Sequence, residues 1–135
     1  MNDEDLMNHA LAQARQAREQ GVMPIGAVLA HRGEILAAAY WKGVARGLLD
    51  HPEHAVLMDA DASTSFAARR EAALYTTLEP CLMCMGTAMS FFLGRVVYAL
   101  AAPADGAANV AEQWRPAQGH PTGPGPYALP KIEGG

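Results

Sequence analysis

The chain has 135 residues, half of them hydrophobic and 18% charged, the proportions of one globular domain with one core. No apolar run reaches the roughly 18 to 20 residues that a helical membrane span needs. With a net charge of -4 and only ten scattered Lys and Arg, the chain lacks the basic excess of a nucleic-acid binder, so a small-molecule partner is expected before nucleic acid.

The opening MNDEDLMNHA is acidic and polar, without the basic start and apolar stretch of a secretory signal, so a cytoplasmic location is expected. Leu6, Ala10, Leu11, Ala14 and Ala17 recur at helical spacing and predict an amphipathic helix over Asp3 to Gln20, ended by Gly21. Ala27 to Ala30, an Arg32-Gly33 turn and Glu34 to Tyr40 predict a hairpin, followed by a loop from Gly43 to Asp50. Pro52 suits the first position of a helix running to about Ala62. The stretch from Ser63 to Glu71 carries no clear pattern. Ala73 to Leu78 is the clearest strand, closed by Glu79-Pro80. Cys81 to Phe92 predicts an apolar, Met-rich helix ended by Gly94, and Arg95 to Leu100 another strand. From Ala101 onward the chain turns Gly-, Ala- and Pro-rich. An irregular tail is expected over 109–135, packed on a domain spanning 1–108, with a short helix near Asn109 to Trp114. The order of elements predicts an α/β fold, a three-layer sandwich around a mixed sheet.

Two short segments carry the chemistry: His51-Pro52-Glu53 and Pro80-Cys81-Leu82-Met83-Cys84, each at the start of a predicted helix. One imidazole and two thiolates suit tetrahedral zinc with one position left for water, the arrangement of catalytic rather than structural sites. A CxxC at a helix start puts the second sulfur one turn beyond the first, so both can face one ion. Glu53 lies two residues after His51, near the metal without ligating it. There it can take a proton from an activated water and return it to a substrate. An H-x-E followed by P-C-x-x-C is the signature of zinc nucleobase deaminases, and here 26 residues separate Glu53 from Pro80.

Competing readings are weaker. Taking His54 as the ligand would put Val56 where the carboxylate is needed. A thioredoxin-type dithiol would follow the first strand of a βαβ unit and would have no use for His51-Pro52-Glu53. Glu79 is read as shaping the turn before Cys81 rather than as a second acid. His9, His31 and His120 are read as surface residues and Met83, Met85 and Met89 as core. Trp114 and Tyr127 fit two roles, closing the pocket or packing the tail on the core.

These motifs resemble the cytidine and deoxycytidylate deaminase superfamily, above all the branch holding bacterial tRNA adenosine deaminases and guanine deaminases. The resemblance rests on MPIGAVLA (Met23 to Ala30), HPEHAVL (His51 to Leu57), LYTTLEPCLMC (Leu74 to Cys84) and GRVVYAL (Gly94 to Leu100). It implies a central five-stranded mixed sheet flanked by helices, zinc on His51, Cys81 and Cys84, and Glu53 as proton shuttle. It further implies a base pocket lined by Gly26 to Val28, with the backbone near Ala27 touching the ring, and Asp105 as a substrate contact. The family's habit is a homodimer, with Met89 and Phe91 as candidate contacts. Three departures stand out: Trp41 takes the place of an Asn that usually holds the substrate, His-Pro-Glu replaces the common His-Ala-Glu, and the basic C-terminal helix of tRNA-editing relatives is missing. The expected activity is therefore hydrolytic removal of an exocyclic amino group from a nucleobase, nucleoside or related amino-azine. A tRNA adenosine deaminase and a non-catalytic zinc subunit stand as alternatives.

Overall fold

The computed structural model describes residues 1–115 and 127–135. Helix α1 (Asp3–Glu19) opens the chain, with Asn2 and Asp5 forming a reciprocal capping box. Strands β1 (Gly26–His31) and β2 (Glu34–Tyr40) form the expected hairpin. Its turn places Arg32 and Gly33 at φ 50° and 77°, the double positive φ that matches strand twist. Pairing slips between Leu29 and Ala30, so Leu36 is an extra residue on β2, a bulge at the sheet edge. Helix α2 (Pro52–Asp61) and a short helix α3 (Phe66–Glu71) follow. Then come β3 (Ala72–Leu78), α4 (Leu82–Phe91), β4 (Arg95–Leu100), α5 (Ala108–Gln113) and β5 (Lys131–Gly134).

The five strands lie in the order β2-β1-β3-β4-β5. The β2–β1 and β1–β3 pairs are antiparallel, whereas β3–β4 and β4–β5 are parallel, so the sheet is mixed as expected. Helix α1 covers one face, where Leu6 and Ala10 pack on Val28, Ala30 and Tyr75. Helices α2, α4 and α5 cover the other, where Leu57, Met85 and Ala111 join Leu29, Leu74 and Val96. Strands β1 and β3 are buried on both faces, which is why β1 reads as a continuous apolar run instead of an alternating one.

Three local outcomes differ from the sequence reading. Ser63 to Glu71, without a pattern of its own, contains α3, which starts where the Ser65 hydroxyl accepts a hydrogen bond from the Ala68 N–H. The end of α4 is at Phe92, in the left-handed region at φ 66°, and not at Gly94. Gly94 serves a different need, since a Cβ there would meet the Arg70 carbonyl oxygen at 1.9 Å. The third is β5. It arises from the tail expected to be irregular, because its four residues carry one apolar side chain, Ile132, and its order comes from backbone pairing with β4. His120 lies outside the described residues.

Met85 and Met89 are core, as expected. Met89 and Phe91 are 7% and 4% exposed, which removes them as contacts for a second subunit. Met58 of α2, Phe66 of α3 and Leu82 of α4 are large apolar side chains that stay exposed.

Candidate metal and catalytic site

His51 and Cys81 hold equivalent positions in two helices. Each is the extended residue immediately before the first turn, of α2 and α4 respectively, and neither side chain caps its own helix. In α2 the first helical position is Pro52, which has no N–H to satisfy. Both side chains are free to turn toward each other, and Cys84 arrives one turn along α4. His51 Nδ1 lies 3.4 Å from Cys81 Sγ and 3.6 Å from Cys84 Sγ, and the two sulfurs are 3.6 Å apart. Among the described residues this is the one cluster with metal-ligand spacing.

The triangle has the size that zinc requires. With Zn–S of about 2.3 Å and Zn–N of about 2.0 Å, the edges of a tetrahedron come to about 3.5 Å for S–N and about 3.8 Å for S–S. One N and two S donors leave a fourth position open, and the start of α4 favours the thiolate form in which its cysteines would bind the ion. The residues present therefore fit the ion that the sequence motif implies.

Glu53 sits in the first turn of α2 and is 4% exposed. Its Oε1 accepts a hydrogen bond from the Thr76 hydroxyl at 3.1 Å, and its Oε2 lies 3.8 Å from Cys84 Sγ. Burial pushes the carboxyl above its ordinary pKa, opposed by the Thr76 hydrogen bond and the His51 charge. Burial likewise pushes the Cys84 thiol up, with the nearby Glu53 and Cys81 adding to it. A cation at the centre reverses that balance, because a coordinated thiol is deprotonated.

In front of these groups opens a cleft of about 600 Å³. His51, Glu53 and Cys81 line its base, Met23, Ile25 and Trp41 one side, and residues 101–105 the other. No lysine or arginine lines it among the described residues. It lies at the carboxyl ends of β3 and β4, where α/β sheets place ligand sites.

The structure brings most of the sequence-predicted residues together. His51, Glu53, Trp41 and Asp105 share the cleft with Cys81, and Cys84 lies behind it. The backbone of Trp41 is fixed just after β2, its amide N–H donating to the Ile25 carbonyl at 2.9 Å. Ala27 stands apart: it is fully buried between Ala39 and Thr76 in the sheet and is not in the cleft wall, which its segment reaches at Ile25 and Met23. His54 bonds Thr87 Oγ1 through Nδ1 at 3.0 Å, away from the cleft. Trp114 and Tyr127 meet edge to face at 5.5 Å in a separate groove over Met85 and Met89, so they pack the tail on α4. Sequence reasoning missed Thr76. Its signal was a hydroxyl inside an apolar strand, two residues before Leu78 at the site end of β3.

The family whose sequence profile matches residues 1–100 is the cytidine and deoxycytidylate deaminase zinc-binding region. The chain is 36% identical over 105 residues to the tRNA-specific adenosine deaminase of Bacillus subtilis, a match covering 77% of this chain and 65% of that protein. Among solved structures, one from a study of A-to-I editing by tRNA:A34 deaminases superimposes with a TM-score of 0.74 at 32% identity, covering 98% of both chains. The guanine deaminase of Bacillus subtilis superimposes with a TM-score of 0.65 at 28% identity, covering 75% of this chain and 66% of that one.

Proposed function

Since the chain belongs to the cytidine and deoxycytidylate deaminase family, we propose that it hydrolyses the exocyclic amino group of a small nucleobase-type ring, releasing ammonia. The observation that carries this reading is the buried Glu53 carboxylate beside the His51, Cys81 and Cys84 triangle, at the base of a cleft of about 600 Å³. The likeness to the guanine deaminase of Bacillus subtilis supports it.

When bound, zinc supplies Lewis acidity that brings the pKa of a water toward neutrality. Glu53 Oε2 takes one proton from the attacking water as its oxygen bonds to the amino-bearing ring carbon. Glu53 hands that proton to the adjacent ring nitrogen, and then carries the second water proton to the amine as the C–N bond breaks. Thr76 holds Oε1, so the other oxygen keeps a fixed aim. Trp41 offers a flat face on which a ring stacks but lacks the paired donor and acceptor of an amide. Asp105 offers an acceptor to ring N–H or amino donors.

The cleft wall favours an uncharged small ring over a phosphorylated or polymeric substrate, because among the described residues it presents carboxylates and no lysine or arginine. The tRNA reading has its own support in the relatives named for that substrate. One experiment separates them: ammonia release by zinc-loaded protein from guanine, adenine, cytosine, their nucleosides, amino-triazines and an anticodon stem-loop. Turnover of a free ring supports the small-molecule reading, and turnover of the stem-loop alone replaces it with RNA editing. Zinc binding without turnover of any compound supports a non-catalytic subunit.

Two thiolate ligands need a reducing compartment, which suits the cytoplasm. No helix among the described residues is long and apolar enough to cross a membrane. We further propose a homodimer that covers Met58, Phe66 and Leu82; sedimentation as a monomer at micromolar concentration overturns this.

A further inference from the structure

We propose that Glu79 is a positioning residue for substrate recognition, its carboxylate fastening the loop of residues 101–107 that forms one wall of the cleft. The proposal rests on the deaminase reading above and adds a residue to it.

The rest of the loop's attachment is backbone bonding and the burial of small alanines. Residues 101–108 read AAPADGAA, side chains too small to anchor a loop by packing alone. Among the described residues, the side chain that hydrogen-bonds to this stretch is Glu79. Its Oε1 accepts from the Ala102 N–H at 3.1 Å and its Oε2 from the Ala108 N–H at 3.0 Å. Both are charge-assisted bonds, the stronger class. Backbone bonds finish the attachment: the Glu79 N–H donates to Leu100 O at 2.8 Å and the Ala107 N–H to Pro80 O at 2.9 Å. Cys81 pairs with Gly106 in an isolated bridge. Gly106 is small for a reason, since a Cβ there would lie 2.3 Å from the Glu79 carboxyl carbon.

The two anchors leave a short free span. Between Ala102 and Gly106, themselves joined by a 2.9 Å backbone bond, stand only Pro103, Ala104 and Asp105. These three are exposed and face the cleft. Glu79 thus fixes both ends of the segment that presents Asp105 to a bound ring. Both its oxygens accept from backbone donors of the loop, and although the side chain borders the cleft, its hydrogen bonds run to Ala102 and Ala108. It works through the loop and not on the reacting atoms.

The test uses the full zinc-loaded chain with Glu79→Gln and, separately, Gly106→Ala, which displaces the carboxylate and leaves Glu79 in place. Glutamine keeps one acceptor and turns an amide donor against the other N–H. Three quantities are read: amide hydrogen exchange at Ala102 and Ala108, zinc per chain, and kcat and KM for the ring identified in the substrate panel. The expected result in both variants is roughly tenfold faster exchange at those two amides, zinc at the wild-type level, and KM up about tenfold with kcat within about twofold. Unchanged exchange in both variants overturns the clamp. Faster exchange with unchanged KM overturns its role in recognition and leaves a structural brace. A wild type that turns over nothing in the panel, the stem-loop included, overturns the deaminase reading and the substrate role together, which is a different result from an active wild type whose variants match it.

Discussion

Glu53 carries the largest prediction at the scale of single residues. Glu53→Ala is expected to lower kcat by about 10² to 10⁴, the usual range for a general acid–base, while zinc content stays at the wild-type level. Loss of zinc together with activity would instead make Glu53 part of the metal site. Thr76→Val removes the hydroxyl that holds Glu53 Oε1 and is expected to reduce kcat roughly tenfold, the kinetic equivalent of about 1.5 kcal/mol for a hydrogen bond to a charged group. Steady-state rates at saturating substrate check this, and an unchanged kcat removes Thr76 from the machinery. His51, Glu53, Cys81 and Cys84 were legible in the sequence because their chemistry is written in two short local spacings. Thr76 was not, because it lies 23 positions from Glu53 and only the packing of α2 on the sheet brings them together.

Among the elements, α1, the hairpin, α2, β3, α4 and β4 follow from periodicity and punctuation. Those that escaped, α3 and β5, are short, and their order comes from neighbours: a single serine cap in one case and backbone pairing in the other. The packing of α1 on β1 hinges on Gly26, where a Cβ would lie 2.3 Å from Ala10 O and 2.4 Å from Ala14 N. Gly26→Ala must push the helix off the strand. It is expected to cost about 2–3 kcal/mol, read as a lower urea midpoint at unchanged slope, and a midpoint equal to wild type would show that α1 has slack the contacts do not suggest. Because the adjoining Ile25 reaches the cleft wall, the same substitution is expected to raise KM as well.

For the molecule as a whole, Arg95 ties distant parts of the chain. Its guanidinium bonds Asp3 at the start of α1 and Glu133 in β5, at the sheet end away from the cleft. Arg95, helped by Tyr75, holds the Asp3 carboxyl down at about 2, and Arg95 with Lys131 does the same for Glu133. Unfolded, both carboxyls titrate near 4. Folded values below unfolded ones mean a stabilising contribution that is complete above about pH 5 and lost as pH falls from about 4 toward 2. Arg95→Met is expected to flatten that acid dependence; thermal midpoints of both proteins between pH 2 and 6 measure it, and parallel curves would show that the cluster does not couple to folding. Solvent exposure of the partners keeps the effect modest and sensitive to salt.

His51 and Cys81 stand where two helices would ordinarily find their own side-chain caps, and neither supplies one. An ion held between them would tie the two helix starts together, so folding and metal supply are linked equilibria. Free zinc at a hundred times its dissociation constant adds about 2.7 kcal/mol to the native state by mass action alone. Two preparations of identical sequence will then melt at different temperatures according to their dialysis history. Titrating zinc back into a chelated sample while following the melting curve would measure the ion's affinity without any substrate.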